Sequence, residues 1–178
     1  MRAPVEAGEN VILVGFMGAG KSSVGRLLAK RLGRCFVETD DLVTAQEGRS
    51  IQEIWRLEGE ARFRELEAGL LELLRLKRGH VIATGGGFPC REGRMEVLKA
   101  MGTVVWLAGD FERLYERALQ SGSRPMLDGK LKEEVAALYR AREPYYRQAH
   151  LVVDATEAGV DQVARRIEAW LRSQERVG

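Results

Sequence analysis

Cysteine is nearly absent from this chain. Its 178 residues hold two, Cys35 and Cys90, and neither sits in a CxxC or other metal-ligand spacing. One disulfide between them stays open, although free thiols in a reducing cytosol suit so low a count better. Long apolar runs are missing as well: none approaches the roughly 18–20 residues that a membrane span needs. Nor is there an excess of either charge. With 28 basic and 26 acidic residues, the net charge of +2 gives no argument for a nucleic-acid partner or a membrane surface. Lysine is scarce at six of the 28 basic residues, so the basic side chains are mostly arginine. Arginine grips planar carboxylates and phosphates, and a GC-rich genome leaves the same imprint. Internal repeats and low-complexity tracts are also lacking. Residues Met1–Asn10 are polar and include Pro4 and Gly8, unlike a signal peptide. Residues 1–9 read as a flexible leader, and the expected location is the cytoplasm.

What is present is an alternation of two patterns. Short, nearly continuous apolar runs occur at Val11–Val14, Cys35–Val37, Val81–Ala83, Val104–Leu107 and Leu151–Val153. Such runs suit strands buried on both faces of a parallel sheet. Between them, Ser23–Leu32, Glu60–Leu76, Leu131–Tyr146 and Val160–Leu171 carry apolar residues at helical spacing. Five strands alternating with helices predict an α/β layer fold, and 178 residues at 45% hydrophobic suit one domain spanning 1–178. The stretch Leu119–Lys130 fits neither pattern. Its glycines, proline and length of about a dozen residues suit a mobile lid or binding loop, with an ordinary surface excursion as the alternative.

Gly15-Phe16-Met17-Gly18-Ala19-Gly20-Lys21-Ser22 matches the phosphate-binding pattern G-x-x-x-x-G-K-[ST], after a strand and before a helix. Glycines let successive backbone N–H groups turn inward toward phosphate oxygens. The helix that follows adds its positive end. The nucleotide-binding candidates are therefore Gly18, Ala19, Gly20, Lys21, Ser22 and Ser23. Lys21 reaches the β- and γ-phosphates of ATP, and the Ser22 hydroxyl is a ligand for Mg²⁺.

Three further features bear on what receives the phosphate. Glu38-Thr39-Asp40-Asp41 follows the second strand, at the sheet edge where open α/β folds bind ligands. One carboxylate there can serve Mg²⁺ through water, and another can take a proton from an acceptor hydroxyl. Asp40 can equally be a helix N-cap. Thr84-Gly85-Gly86-Gly87 follows the third strand and exposes bare backbone. Finally, Arg64, Arg124 and Arg142 stand in suggestive places, although a lone helix arginine is more often solvated.

These motifs, in this order, resemble the shikimate kinases from about Asn10 to Leu171. The set comprises the P-loop, Thr39-Asp40, Gly48-Arg49-Ser50-Ile51, Gly59-Glu60 with Phe63-Arg64, the glycine triplet, Arg124-Pro125, and Arg142-x-Pro144-x-Tyr146. The resemblance implies a three-layer P-loop kinase fold: a five-stranded parallel sheet in the order 2-3-1-4-5 flanked by helices, with a mobile lid. It implies transfer of the ATP γ-phosphate to the 3-hydroxyl of shikimate. It further implies that Asp40 holds and deprotonates that hydroxyl, and that Arg64 and Arg142 grip the shikimate carboxylate. Gly86, flanked by Gly85 and Gly87, offers its N–H to the substrate. Arg124 meets the transferring group, and Arg117 lies against adenine. Here the first acid after strand two is Glu38, where the family usually has aspartate; Glu38 is one methylene longer and would reach Mg²⁺ through water. The loop near Asp154–Gly159 lacks the family's proline, and no residue is carried over from it. A monomer acting on two small molecules is the expected state.

Two other readings stay open. One is a related P-loop kinase acting on gluconate or a nucleoside monophosphate. The latter would show more than one arginine in the lid, and the former Ser or Gly in place of Phe16-Met17. The other is a nucleotide-binding homologue without catalysis, in which drift would have broken the set of Lys21, Asp40, Arg64, Arg124 and Arg142. The P-loop reading has a direct test. Lys21→Ala is expected to lower kcat by at least ~10²-fold, the scale for losing a preorganised charge donor, with circular dichroism unchanged; near wild-type turnover in a folded variant would remove the assignment.

Overall fold

A computed structural model of the chain describes residues 8–122, 127 and 129–175. The elements run β1 (Asn10–Val14), α1 (Lys21–Leu32), β2 (Cys35–Glu38), α2 (Thr39–Glu47), α3 (Ile51–Leu74), β3 (His80–Ala83), α4 (Arg94–Met101), β4 (Gly102–Ala108), α5 (Phe111–Gln120), α6 (Lys132–Tyr146), β5 (Leu151–Asp154) and α7 (Val160–Glu175). All four strand pairings are parallel, and the order is β2-β3-β1-β4-β5. The order expected from the resemblance is therefore the one observed.

The apolar runs explain this order. β1 is buried at every position and β4 at all but its last, so they take the middle of the sheet. β2 and β5, the two edges, retain exposed positions. Val11, Ile12, Leu13, Val81, Ile82, Val104 and Val105 all lie at 0% exposure, each side chain worth about 1.5–3 kcal/mol when fully buried. Asn10 is the polar exception at the bottom of the sheet. Its amide donates to the carbonyls of Lys77 (2.8 Å) and Met101 (3.1 Å), and its oxygen accepts from the His80 N–H (3.0 Å). One buried side chain thus ties the start of β1 to those of β3 and β4, with its hydrogen-bonding capacity used. The last described leader residues are tied down too. The Gly8 carbonyl accepts from the Gly79 N–H (2.6 Å), and that of Glu9 from Arg34 (2.8 Å).

Helix bounds depart from the sequence pattern in instructive ways. The expected Glu60–Leu76 helix is the second half of α3, whose first half begins nine residues earlier, at Ile51. The Gly48-Arg49-Ser50-Ile51 motif is the joint: Gly48 closes α2 at φ 65°, and Ser50 opens α3 with a capping box. There the Ser50 hydroxyl accepts from the Glu53 N–H (3.2 Å), and the Glu53 carboxylate accepts from the Ser50 N–H (2.9 Å). Asp40 is not a helix N-cap. That position belongs to Glu38, and Asp40 is the second residue of α2. Leu119 and Gln120 still belong to α5, so the irregular stretch begins two residues later than its composition suggests. Cys35 and Cys90 are both free thiols.

Gly59 divides α3. At φ 82° and ψ 173° it occupies a region that is essentially restricted to glycine, and nothing lies within 4 Å of an added Cβ. Its cost on replacement is thus conformational alone. Gly59→Ala is expected to destabilise the protein by about 1–3 kcal/mol, read as a lowered denaturation midpoint at unchanged m-value; an unchanged midpoint would show that the kink can straighten freely.

Candidate active site

Every strand delivers its C-terminal end to one edge of the sheet. β1 leads into the P-loop, β2 into Glu38 and Asp40, and β3 into Thr84–Gly87. The connection after β1 runs to β2 at one edge of the sheet, while the one after β3 runs to β4 on the other side of β1, and that divergence opens a crevice. A cavity of about 590 Å³ lies there, lined by residues that include Gly20–Ser23, Glu38, Asp40, Arg64, Gly85–Gly87, Arg117 and Arg142. Except for Ala19 and Arg124, all the residues assigned a catalytic, binding or metal role from the sequence line it. Ala19 is buried within the P-loop at 1% exposure. Arg124 lies outside the described residues, as does much of the expected lid.

The nucleotide half is built from the P-loop and α1. Gly18 needs its lack of side chain twice: its φ is +80°, and a Cβ would fall 2.2 Å from the Leu114 carbonyl oxygen. α5 is therefore packed directly on the loop. Gly20, also left-handed, ends the loop, and Lys21 opens α1. The first-turn N–H groups of a helix have no acceptor within it, and here they face the cavity beside Lys21, Ser22 and Ser23. The Lys21 ammonium donates to the Gly15 carbonyl (2.7 Å) and the Phe16 carbonyl (3.0 Å), which keeps the charge folded over the loop. Across the cavity, Arg117 on α5 donates to the carbonyls of Ala155 (2.8 Å) and Thr156 (3.1 Å), which fixes its guanidinium against the loop after β5.

Ser22 and Glu38 meet directly, the hydroxyl donating to one carboxylate oxygen. They are hard oxygen donors at the mouth of the P-loop. Among the described residues no cluster of three or more His, Cys, Asp or Glu could hold a metal ion. That donor set suits Mg²⁺, which keeps several waters and takes phosphate oxygens rather than an all-protein cage. It does not suit zinc or a dedicated calcium site.

The acceptor half is built around the glycine triplet, and here glycine serves to leave room. A Cβ on Gly85 would lie 2.7 Å from Asp40 Oδ1. One on Gly86 would lie 3.1 Å from Arg142 Nη1, and one on Gly87 would lie 2.6 Å from Arg64 Nη2 and 2.8 Å from Arg142 Nη2. Side chains from α2, α3 and α6 therefore converge on backbone at the end of β3. Two bonds hold that backbone. The Gly85 N–H donates to the Thr39 hydroxyl (2.9 Å), and the Tyr146 hydroxyl donates to the Gly86 carbonyl (2.6 Å). Tyr146 is fully buried, and burial pushes its phenol well above the ordinary value, so it stays a donor. Burial likewise pushes the nearby Cys90 thiol up to about 11, leaving it inert.

The two guanidiniums differ. Arg64 pairs with Glu67 (2.5 Å) and Glu60 (3.2 Å) on its own helix. Glu67 is 1% exposed, and burial raises its carboxyl above the ordinary value despite the pull of Arg64. Arg142 is 6% exposed, and among the described residues no carboxylate forms an ion pair with it. Its guanidinium carbon lies 5.9 Å from the centre of the Phe16 ring, while Glu143, next in sequence, pairs with Arg147. A buried cation short of counter-charge, facing a cavity, is a place for an anion.

Sequence reasoning missed three contributors. Glu67 was detectable, since it follows Arg64 at the i,i+3 spacing of a helix pair. Tyr146, four residues after Arg142, carried a motif but no role. Trp55 lines the cavity with its ring 6.0 Å from that of Phe63; nothing in the sequence marked it, because its half of α3 lay outside the helix as read.

Known proteins resemble this chain over most of its length. A sequence model described as shikimate kinase matches residues 17–172. A shikimate kinase of Moorella thermoacetica is 42% identical over 168 residues, 92% of this chain and 97% of that protein. One from Symbiobacterium thermophilum is 47% identical over 143 residues, 79% of this chain and 82% of that protein. Among solved structures, a shikimate kinase from Acinetobacter baumannii in complex with shikimate superposes with a TM-score of 0.88 at 35% identity, covering 94% of each chain.

The crowding at Gly87 yields a test. Gly87→Ala is expected to displace both guanidiniums and weaken acceptor binding at least about tenfold, since hydrogen bonds to charged groups are worth about 1.5–3 kcal/mol each. ADP affinity, measured by calorimetry on the same preparation, should hold. Equal loss for both ligands would mean a general collapse of the site.

Proposed function

The chain belongs to the shikimate kinase family and transfers the γ-phosphoryl group of ATP to the 3-hydroxyl of shikimate; from that premise we propose which of its residues carry each part of the work. The observation that carries the reading is the convergence of Asp40, Arg64 and Arg142 on Gly85–Gly87, in the cavity that Lys21 and Ser22 also line.

Phosphoryl transfer asks a protein for alignment, charge neutralisation and exclusion of water, with little covalent chemistry. The amides of Gly18, Ala19, Gly20, Ser22 and Ser23 cradle the phosphates, and the Lys21 ammonium moves from the loop carbonyls to the β- and γ-phosphates. Arg117 packs against adenine, its fork held by the carbonyls after β5. Arg124 keeps the role that the resemblance implies, a positive charge toward the group in transit, within a lid that begins after α5, at about residue 121. Ser22 would hold Mg²⁺ directly and Glu38 through water. Magnesium bound there supplies neutralisation of phosphate charge.

Arg64 and Arg142 clamp the shikimate carboxylate. Planar forks suit that group, and Arg142 gains the counter-charge that it lacks among the described residues. The Gly86 N–H adds a backbone donor. With the carboxylate fixed, Asp40 takes the hydroxyl on the nucleotide side, orients it, and accepts its proton as the oxygen–phosphorus bond forms. The proposed enzyme is a single-domain cytoplasmic monomer with no nucleic-acid or membrane partner. The balanced charge gives no argument for a nucleic-acid partner, and among the described residues no helix is long and apolar enough to cross a membrane.

Asp40→Asn separates chemistry from binding. Asparagine keeps the shape and an acceptor oxygen but takes no proton at neutral pH. General-base help is typically worth 10²–10⁴-fold, and a loose transition state deprotonates the nucleophile late. The expected result is a fall of about 10²-fold or more in the single-turnover rate, with a smaller change in shikimate Kd. An unchanged rate would take Asp40 out of the mechanism.

A further inference from the structure

One charged side chain beside the nucleotide site has no part in the reading above. Arg26 lies one turn beyond Ser22 on α1, and at the i,i+4 spacing both face the same way. Its Nη2 is 3.0 Å from Glu38 Oε2 and 3.9 Å from Asp41 Oδ2. The other oxygen of Glu38 accepts the Ser22 hydroxyl. The carboxylate is therefore a bridge, with one oxygen toward Ser22 and the other on a guanidinium.

Arg26 is itself held in place. Its guanidinium carbon stands 4.7 Å from the centre of the Phe36 ring, within cation–π range. Phe36 and Glu38 are two residues apart on β2 and so share a face of the strand. The ring can occupy that spot because Gly25 has no side chain: a Cβ there would fall 2.4 Å from Phe36 Cε2. Gly25, Phe36, Arg26, Glu38 and Ser22 thus form a chain of contacts in which each member fixes the next.

An exposed ion pair adds little to stability, and the Arg26 side chain is 61% exposed. Orientation is the larger effect. A glutamate side chain has several rotatable bonds, and ordering it costs side-chain entropy. A partner on Oε2 restricts where Oε1 points. We propose that Arg26 is a positioning residue for the metal site, holding Glu38 by one oxygen so that the other is presented beside Ser22. The inference rests on the reading that Ser22 and Glu38 hold the metal. The nearby positive charge opposes a divalent cation, but on an exposed side chain that repulsion is screened by water and salt, whereas the geometric constraint is not.

The test uses Mn²⁺ as a paramagnetic stand-in for Mg²⁺, titrated into the protein–ADP complex with free Mn²⁺ counted by electron paramagnetic resonance. Loss of an outer-shell partner typically costs 10–100-fold in metal affinity. Arg26→Gln is accordingly expected to weaken Mn²⁺ binding about tenfold or more. ADP affinity in EDTA and the thermal midpoint should stay near wild type, and Arg26→Lys should recover part of the loss. A role in packing alone would shift the midpoint and leave Mn²⁺ binding untouched. Glu38→Ala in the same assay tells the two readings apart. If it weakens Mn²⁺ binding and Arg26→Gln leaves it within about twofold of wild type, or tightens it, the positioning role is wrong while the metal reading stands. If Glu38→Ala has no effect, the metal reading fails and this inference with it. Arg26→Gln added to Glu38→Ala should cost nothing further, since both act through one carboxylate.

Discussion

Two guanidiniums share the space that Gly87 leaves empty, and much of the site follows from that crowding. Arg64 and Arg142 each reach within 3 Å of where a single methyl group would stand. Like charges so close repel, and each must be met by opposite charge or by water. Glu67 meets the first from the same helix, at the cost of burying its own carboxylate. Arg64 also pairs with Glu60, whereas among the described residues no carboxylate forms an ion pair with Arg142. In the proposed reading the shikimate carboxylate supplies the missing counter-charge, so that the fold holds an unpaired cation in place and substrate binding neutralises it.

Holding that cation requires rigid backbone, which accounts for parts of the structure well away from the arginines. Tyr146 is fully buried and fixes the Gly86 carbonyl; Thr39 fixes the Gly85 N–H. Both come from helices that also carry a side chain lining the cavity, Arg142 on α6 and Asp40 on α2. Each helix therefore sets its functional side chain and the surface opposing it by the same packing. The nucleotide half follows a similar logic, with α5 packed on Gly18 at one end and carrying Arg117 toward the loop after β5 at the other.

The Glu38 position shows how one departure from a family pattern is absorbed locally. A longer acid would be expected to wander, yet its two oxygens are held by Ser22 and Arg26. The components of that restraint lie on α1 and β2, the first helix and the strand that follows it. The accommodation needs nothing from the rest of the molecule.

The sheet and the P-loop were legible from residue types alone, whereas the order of the strands came from the family resemblance. Continuous apolar runs have few alternatives to a buried parallel sheet, and G-x-x-x-x-G-K-S after a strand has few alternatives to a phosphate cradle. Both are local patterns, set by hydrophobic burial and by the freedom of glycine. Helix boundaries were less legible. The first half of α3, with only Ile54 fully buried in it, shows little amphipathic signal and is held by the Ser50 capping box and by packing against α2. The roles of Glu67, Tyr146 and Arg26 were decided only in three dimensions. Their partners Gly86 and Glu38 lie 60 and 12 residues away from Tyr146 and Arg26. Even Glu67, adjacent to Arg64 on its helix, reads as a surface ion pair until burial reveals its cost. The glycine triplet marks the same boundary. Its sequence announced close approach of a ligand to backbone, but only the fold showed that two arginines and an aspartate take the room first, because side chains from three helices meet beside the end of one strand.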